Sequence, residues 1–337
     1  MKAIAYRKSL PIDDAQSLLD IETADPVVKG RDLLVSVKAI SVNPVDTKIR
    51  RNVDPEGADK VIGWDAAGVV VAVGPEASLF KPGDEVFYAG AIDRPGSNAE
   101  LQLVDERIVG RKPATLDFAQ AAAMPLTAVT AWELLFDRLG VAPGTVGKPA
   151  FLLVVGAAGG VGSMAVQIAR KLTGLTVIAT ASRPETQAWV KELGAHHVVD
   201  HRQPLVEQIR PLAPGGVDYV MSLTHTETHY PALVELIKPQ GRLGLIDDPA
   251  KPLDITALKR KSISLHWEFM YTRSLFATDD MQAQHRILNE VADLVDAGVL
   301  CTTMRENFGR IDAANLRRAH ALLESGTTIG KVVLEGW

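Results

Sequence analysis

The chain has 337 residues, of which 47% are hydrophobic and 23% are charged, as is ordinary for a soluble globular protein. This length allows two domains with sizeable cores. The net charge of −5 and the lack of a basic run argue against a nucleic-acid partner. No apolar run reaches the roughly 18 residues of a membrane helix, and none at the N-terminus resembles a signal peptide, so we expect a cytoplasmic protein. The single cysteine, Cys301, excludes an intramolecular disulfide and is expected to be buried.

The first part of the chain, up to about residue 126, is predicted to be rich in short β-strands. Val35, Val37 and Ala39 alternate with polar residues, which is typical of a half-buried strand. Further strands are predicted at 67–73, 84–88 and 99–104, with glycine and proline between them. The pattern favours a small barrel over a parallel sheet.

From about residue 127 the pattern changes to alternating helices and strands. The predicted strands of this region are 151–156, 175–181, 197–200, 217–222, 241–246 and 261–267. Six strands with helical crossovers predict an α/β fold with a doubly wound parallel sheet. Helices at 282–297 and 313–323 and a closing strand at 331–334 are predicted to follow.

A glycine-rich loop follows the first strand of this α/β region. The strand Phe151 to Val155 is a continuous apolar run, and the segment after Gly162 has helical spacing of its apolar residues. A strand, a glycine loop and a helix in this order predict a dinucleotide-binding site, because the helix N-terminus favours a pyrophosphate. The predicted contacts in the loop are Gly156, Ala157, Ala158, Gly159, Gly160 and Val161.

The end of the next strand indicates which dinucleotide binds. A site for NAD would place Asp or Glu there, to bind the ribose 2′-hydroxyl. This chain has Ser182 and Arg183, which suit a 2′-phosphate because a guanidinium makes paired, charge-assisted hydrogen bonds. The sequence therefore favours NADPH as the cofactor.

Several segments, in order along the chain, resemble the medium-chain dehydrogenase/reductase superfamily, and within it the zinc-free quinone oxidoreductase branch. The segments that carry the resemblance are 43–46, 63–69, 81–86, 125–131, 156–162, 193–195 and 330–334. The resemblance implies a GroES-like catalytic domain made of residues 1–126 and 270–337, and a Rossmann NADPH-binding domain made of residues 127–269. The segment 264–270 resembles a subgroup that is usually labelled as zinc-binding alcohol dehydrogenase-like.

The residues conflict with that label. The resemblance aligns Asn43, Trp64 and Leu126 with positions that hold two cysteines and a histidine in the zinc alcohol dehydrogenases, and none of the three is a plausible zinc ligand. We therefore expect no metal. Without a Lewis acid to deprotonate an alcohol, the expected reaction is hydride transfer from NADPH to a quinone or another electron-poor carbonyl or enone. The alternatives are an alkenal or enoyl reductase, or a non-catalytic NADPH-binding redox sensor.

The resemblance also implies site residues. It places Asn43, Asp46 and Thr130 near the nicotinamide, where Asn43 would donate to a substrate oxygen or else only cap its loop. Asp46 is either catalytic or a structural acid that fixes the loop or pairs with Lys48. Further cofactor contacts are implied for Ser222, Leu223, Ile246 and Lys331. His201 ends the third strand, where the reductases that this chain resembles often have a tyrosine near the 2′-phosphate, so the resemblance implies the same place for His201, with plain surface exposure as the alternative.

Two other features suggest ligands or partners. His225 and His229 lie four residues apart and could share a metal, although the spacing is not that of the zincin helix. Trp267, Phe269 and Tyr271 alternate with other residues, as in a strand with one aromatic face. Such a strand, if it lies at a sheet edge, needs cover. The resemblance implies pairing through sheet edges, so we expect a homodimer that acts on a small molecule.

Overall fold

The computed structural model describes residues 1–144 and 150–337. Within these ranges the strands are β1 (Lys2–Tyr6), β2 (Leu19–Glu22), β3 (Asp32–Val42), β4 (Lys60–Val61), β5 (Ala66–Val73), β6 (Glu85–Tyr88), β7 (Leu101–Asp105), β8 (Val109–Arg111), β9 (Phe151–Val155), β10 (Thr176–Thr180), β11 (His197–Val199), β12 (Val217–Ser222), β13 (Ile237–Leu245), β14 (Ser264–Trp267), β15 (Met304–Asn307) and β16 (Lys331–Glu335). The α-helices are α1 (Pro44–Asn52), α2 (Phe118–Ala122), α3 (Pro125–Trp132), α4 (Gly160–Leu172), α5 (Pro184–Glu192), α6 (Leu205–Ile209), α7 (Thr226–Leu236), α8 (Thr272–Leu275), α9 (Ala283–Asp296) and α10 (Ala313–Glu324). A π-helical segment, Glu133–Arg138, continues α3.

The chain divides into two compact units. The first unit contains Met1–Val129 and Tyr271–Trp337, and the second contains Thr130–Met270. The division lies close to the expected boundaries at residues 127 and 269, and its first boundary falls inside α3.

The first unit is built from mostly antiparallel strands. Its larger sheet has the order β15-β16-β3-β5-β6-β8, with β7 also paired to β3, and its smaller sheet has the order β2-β1-β4. Strand β3 has three partners because it is long: its first half pairs with β7, its last residues pair with β16, and β5 pairs along most of its length. Its last residue, Val42, is paired with Val332 of β16. This register brings Lys331 beside the start of α1.

The second unit contains the doubly wound parallel sheet that the sequence predicts. The strand order is β11-β10-β9-β12-β13-β14, and every pair is parallel. This is the Rossmann order, in which strands are first added on one side of the first strand, here β9, and from the fourth strand, here β12, on its other side. Val155 and Ser222 are paired at the carboxyl ends of those strands. The glycine loop therefore begins at the reversal point, where such sheets bind ligands.

The core of the second unit explains why its strands are continuous apolar runs. Leu152 to Val155 of β9 are at most 1% exposed, because helices cover both faces of a doubly wound sheet. On one side the sheet packs against α6 and α7 through residues such as Leu205, Ile209 and Leu233. This rigid layer fixes the loops at the carboxyl ends of the strands.

Two sequence predictions are wrong. The aromatic alternation does not form one strand face, because β14 ends at Trp267 and Tyr271 belongs to the first unit, where it is 2% exposed. Trp267 and Phe269 are exposed, whereas Glu268 between them is buried and accepts a hydrogen bond of 2.8 Å from Arg138 Nε, so the alternation fails only at the buried Tyr271. Cys301 is exposed, not buried. In the described ranges, no helix has the length and apolarity needed to cross a membrane.

Candidate active site

The loop Gly156–Gly162 closes tightly between β9 and α4. Gly156 has a φ of +80°, and a Cβ atom there would lie 2.7 Å from Thr224 Cγ2. A Cβ atom on Gly162 would lie 2.4 Å from the Gly156 carbonyl oxygen and 2.5 Å from Ala157 Cα. Both contacts are too short for any side chain. Glycine at 156 therefore allows the turn, and glycine at 162 allows α4 to approach the strand closely.

This loop fits a pyrophosphate. The N–H groups of the first turn of α4 have no acceptor within the helix, and the helix dipole is positive at this end. A Cβ atom on Gly159 would have only the Gly156 carbonyl oxygen nearby, at 3.6 Å, so a phosphate oxygen can approach the backbone there. The loop residues predicted as cofactor contacts, from Gly156 to Val161, are thus brought together. They would hold the phosphates of a dinucleotide by backbone N–H groups.

Cationic side chains follow β10, where a site selective for NAD would have an acid. Arg183 is the residue before α5, and its Nε atom lies 3.2 Å from Glu185 Oε1 in a partly exposed ion pair. Arg202 donates to the carbonyl oxygen of Ser182 and pairs with Asp200 at 3.0 Å. Sequence analysis missed Arg202, although its position directly after the third strand could have indicated it. Ser182 is thus followed by Arg183 in the chain and bonded by Arg202 through its carbonyl oxygen.

His201 lies beside His229, with ring centroids 6.1 Å apart. Burial lowers the pKa of both imidazoles, and the neighbouring His225 lowers each further. Among the described residues, no group of three or more His, Cys, Asp or Glu side chains could hold a metal ion. The pair His225 and His229 therefore has no third ligand in that part of the chain.

The loops after β12 and β13 hold the other predicted cofactor residues. The buried hydroxyl of Ser222 lies 2.8 Å from Thr226 Oγ1, and Thr226 also bonds Asp247 through its backbone N–H at 3.0 Å. Ser222 thus ties the two loops together. Leu223 donates its N–H to Val155 at 3.2 Å, and Ile246 is half-buried. Contacts of Ser222, Leu223 and Ile246 with a cofactor stay predictions.

In the first unit, Asn43 is the centre of a buried polar network. It is 1% exposed and precedes α1. Its Nδ2 atom donates to Asp65 Oδ2 at 2.8 Å and to the Trp64 carbonyl at 3.1 Å, while its Oδ1 atom accepts from Lys331 Nζ at 2.6 Å. Both the Nδ2 and the Oδ1 atom of the Asn43 amide are therefore hydrogen-bonded to other groups of the protein. This geometry favours the loop-fixing role of Asn43 over donation to a substrate.

Lys331 and Asp65 are the charged partners in this network. The Lys331 ammonium is 3.1 Å from Asp65 Oδ2 and donates to the Val42 carbonyl at 2.8 Å. Asp65 Oδ1 accepts the backbone N–H of Leu126 at 2.8 Å, at the start of α3. Lys331 was predicted to bind cofactor, but it belongs to the first unit and its ammonium is used inside this network. The signal missed in the sequence is the pairing of β16 with the end of β3.

Asp46 completes the network. Its Oδ2 atom accepts the N–H of Asn43 at 2.6 Å, which closes the first turn of α1. Burial raises the pKa of Asp46 to about 7, and Asp65 adds to the rise, while the hydrogen bond from Asn43 and the charge of Lys331 oppose it. Asp46 thus fixes its loop, which is one of its two expected roles. Thr130, the third predicted catalytic residue, is 5% exposed and belongs to the second unit.

The raised pKa of Asp46 predicts a pH-dependent stability. An unfolded aspartate titrates near 3.9, so between about pH 4 and pH 7 the folded chain holds a proton that the unfolded chain has lost. The contribution of Asp46 to stability therefore falls as the pH rises through this window, by on the order of 4 kcal/mol. Asp46→Asn keeps an acceptor for Asn43 and removes the titration. The melting temperature of this variant minus that of the natural chain should be larger at pH 8 than at pH 5. The exposed Asp59→Asn serves as control, and an unchanged difference for Asp46→Asn would contradict the assignment.

Comparison with known proteins identifies relatives of the whole chain. Residues 29–114 match the family model of the alcohol dehydrogenase GroES-like domain, and residues 193–334 match that of the zinc-binding dehydrogenases. The chain is 40% identical over 337 residues to a zinc-type alcohol dehydrogenase-like protein of Staphylococcus aureus, with 99% of each covered. A Rhizobium etli protein named as a zinc-dependent alcohol dehydrogenase is 60% identical, with a TM-score of 0.96 over 100% of this chain and 98% of that one.

The residues of this chain do not fit the zinc that these names imply. The resemblance aligns Asn43, Trp64 and Leu126 with zinc ligands. The Asn43 amide bonds the side chains of Asp65 and Lys331. To this network Trp64 gives only its carbonyl, which accepts from Asn43, and Leu126 only its N–H, which donates to Asp65. Zinc prefers thiolate, imidazole and carboxylate ligands. The carboxylate that bonds these positions, Asp65, is already paired with the Lys331 ammonium.

Two further solved structures share the fold over the whole chain. A quinone oxidoreductase from Coxiella burnetii is 25% identical with a TM-score of 0.82, covering 100% of this chain and 99% of that one. A mycobacterial protein in complex with NADPH is 27% identical with a TM-score of 0.85, covering 100% of both chains. The Rossmann strand order, the GroES-like unit and a relative matched over nearly the full length agree. This chain belongs to the medium-chain dehydrogenase/reductase superfamily and is an oxidoreductase.

Proposed function

We propose that this chain is an NADPH-dependent reductase that transfers hydride to a quinone or another electron-poor enone without zinc. The observation that carries the proposal is the end of β10, where Ser182 and Arg183 stand in place of the acid that NAD selection requires and Arg202 donates to the Ser182 carbonyl. The mycobacterial relative bound to NADPH and the quinone oxidoreductase among the structural neighbours support the same reaction class.

The parts of the site divide between binding and positioning. NADPH supplies the hydride when it is bound, and the protein binds and orients the cofactor and polarises the substrate. The loop Gly156–Val161 would hold the pyrophosphate, and Arg183 and Arg202 would hold the 2′-phosphate. Thr130, Leu223 and Ile246 stay proposed contacts of the nicotinamide half. We assign Asn43 and Asp46 to positioning, since their polar groups are bonded within the first unit.

The substrate class follows from the buried network. A zinc dehydrogenase uses its metal to bind and deprotonate an alcohol. In this chain the ion pair of Lys331 and Asp65 lies among the positions that correspond to the zinc ligands, so a substrate must accept hydride without a metal to polarise it. Quinones and enones are already electron-poor, and a reduced quinone can take its protons from water. This reasoning favours reduction over alcohol oxidation.

The cofactor assignment predicts the effect of Arg183→Ala. Charge-assisted hydrogen bonds contribute about 1.5–3 kcal/mol, so NADPH should bind about tenfold or more weakly, while NADH affinity should barely change. The pair with Glu185 is partly exposed and is expected to yield to a phosphate at little cost. Cofactor titration by fluorescence measures both affinities. Arg210→Ala, an exposed arginine that pairs with Glu235, is the matched control. An unchanged preference in both Arg183→Ala and Arg202→Ala would contradict this site for the phosphate.

We also propose that the chain forms a homodimer through β14. Among the strands of residues 1–144 and 150–337, β14 lies at the edge of its sheet, next to β13, and Trp267 and Phe269 are 53% and 47% exposed. Edge strands with exposed apolar side chains need cover. Light scattering should give twice the chain mass, and the double variant Trp267→Lys/Phe269→Lys should give the mass of one chain. A single-chain mass for the unmodified protein would refute the dimer.

A further inference from the structure

The second unit buries two carboxyl groups beside one guanidinium. Glu268 directly follows β14, and Glu133 and Arg138 begin and end the π-helical segment. Arg138 Nε donates to Glu268 Oε2 at 2.8 Å, and Arg138 Nη2 lies 3.6 Å from Glu133 Oε2. The side chains of Glu133 and Glu268 are 1% and 0% exposed, whereas that of Arg138 is 30% exposed. The charge of this guanidinium is thus set against two buried acids.

The π winding of the segment brings the three groups together. On an α-helix, with 3.6 residues per turn, residues five positions apart point roughly 140° apart. A π-helix bonds residue i to residue i+5, so such residues lie on the same side of the helix. The Leu139 N–H donates to the Leu134 carbonyl at 2.9 Å in this pattern. Glu133 and Arg138 are five positions apart, and the π turn therefore lets both reach Glu268.

Two ionised carboxylates in this place would be costly. A buried charge needs a partner, and the guanidinium of Arg138 carries a single positive charge. An ionised carboxylate only accepts hydrogen bonds, so two of them side by side repel each other, whereas a protonated carboxyl group can donate to its neighbour. Two acids that are buried together are therefore expected to hold one proton between them.

We propose that Glu133 and Glu268 share one proton and that this proton locks the π-helical turn. With the proton present, the two carboxyl groups bond each other and carry the one negative charge that Arg138 neutralises. Without it, the buried pair carries two negative charges, and holding Glu133 against Glu268 becomes costly. Deprotonation should therefore release the segment, which makes the turn sensitive to pH. The device is independent of the reaction proposed above.

The charges around the pair agree with this assignment. Burial raises the pKa of Glu268, and the charge of Glu133 and a hydrogen bond between the two carboxyl groups raise it further, while Arg138 opposes the rise. On the neighbouring strand β14, burial lowers the pKa of His266, and Arg242 of β13 and Arg138 lower it further. This imidazole is therefore expected to be neutral at neutral pH. Arg242 bonds a backbone carbonyl directly after the segment.

The direction of the pH effect follows from the extra proton of the folded chain. An unfolded glutamate titrates at about pH 4.3, so above about pH 5 the folded chain holds a proton that the unfolded chain has lost. Glu268→Gln replaces the protonated carboxyl group with an amide that can donate to Glu133 and accept from Arg138, and the amide does not titrate. The unfolding constant of the natural chain, divided by that of Glu268→Gln, should therefore rise about tenfold for each pH unit until the pair is ionised.

Three measurements on the full chain test the lock. Urea unfolding from about pH 6 to about pH 8 gives the unfolding constants. An infrared difference spectrum, natural chain minus Glu268→Gln, should show the carbonyl band of a neutral carboxyl group at neutral pH. Hydrogen exchange of the Leu139 amide should lose protection at high pH in the natural chain and keep it in Glu268→Gln.

Two further variants support the comparison. Glu133→Gln leaves the same single carboxylate beside Arg138, so it should behave like Glu268→Gln and replaces that variant if it fails to fold. Glu235→Gln changes an exposed glutamate that pairs with Arg210 in the same unit. It is the matched control and should follow the natural chain at every pH.

Either of two results would overturn the proposal. A difference spectrum without the neutral carboxyl band, together with or without a constant ratio of unfolding constants, would show that both acids are ionised in the folded chain. Loss of protection of the Leu139 amide in Glu268→Gln at neutral pH would show that a neutral neighbour of Glu133 does not hold the turn. Neither result bears on the cofactor or on the reaction.

Discussion

Lys331→Met should lower the free energy of unfolding of the first unit by about 3–5 kcal/mol, the cost of leaving one charge of a buried ion pair without its partner. Lys331 is 3% exposed, and its ammonium bonds Asp65, Asn43 and the Val42 carbonyl. Burial lowers the pKa of Lys331 and raises that of Asp65, and their mutual attraction opposes both changes. Methionine keeps the apolar stem of the side chain and removes only the charge and its hydrogen bonds.

Urea unfolding of the variant gives this free energy, and two variants serve as comparisons. Arg7→Met breaks the exposed pair with Asp59, which water and salt screen, and should change the free energy of unfolding far less. Lys331→Met/Asp65→Asn should recover part of the loss, because the Asp65 carboxylate is no longer left without the ammonium and the Asn43 amide can turn to face the new amide. If Lys331→Met behaves like Arg7→Met, the ammonium does not organise this network.

Gly162→Ala should weaken NADPH binding about a hundredfold, which corresponds to roughly 2.7 kcal/mol. The new Cβ atom would lie 2.4 Å and 2.5 Å from backbone atoms of Gly156 and Ala157. A side chain could rotate away from such a contact, but backbone atoms cannot. The start of α4 must therefore move off the loop, and its N–H groups lose their position.

Fluorescence titration with NADPH measures this effect in the folded variant, whose circular dichroism spectrum confirms its fold. Gly215→Ala is the matched control, since a Cβ atom there would meet nothing within 4 Å in the same unit. We expect its affinity to equal that of the natural chain. An affinity of Gly162→Ala within twofold of that value would contradict the role given to the close packing of α4 on the loop.

The Rossmann unit was predictable from local pattern, and the reason is visible in β9 and Gly156. A strand buried on both faces is a continuous apolar run, and a turn at φ +80° next to a close helix restricts the residue to glycine. Each constraint acts on neighbouring residues and so appears in the sequence. The strand order follows from the same alternation of strands and helices, because crossover connections are right-handed.

The polar network was not predictable in the same way. Lys331 and Asn43 are 288 positions apart in the chain, and the hydrogen bond between their side chains depends on the pairing of β16 with β3. Periodicity shows which residues are buried but does not show which of them meet. For the same reason the place of Tyr271 was misjudged: the alternation of exposed and buried side chains runs through Trp267, Glu268 and Phe269, but Tyr271 is buried in the first unit.

The names of the relatives refer to a metal that the side chains of this chain do not suit, and this disagreement has a physical basis. The names of its relatives refer to zinc, whereas the network at Asn43, Trp64 and Leu126 holds an ammonium and two carboxyl groups. A fold can keep its backbone while the chemistry of a site changes through a few side chains. The side chains at these positions therefore carry more information on the reaction than the fold does.

The most direct test of a zinc-free NADPH reductase is turnover by metal-free protein. The purified chain is dialysed against a chelator, its metal content is measured, and NADPH oxidation is followed with a quinone and with an enone. The account predicts that one NADPH is consumed for each acceptor reduced by two electrons, that NADH is used far more slowly, and that chelation leaves the rate unchanged. Loss of turnover on chelation with recovery on adding zinc alone would contradict it, as would the absence of NADPH oxidation with both kinds of acceptor.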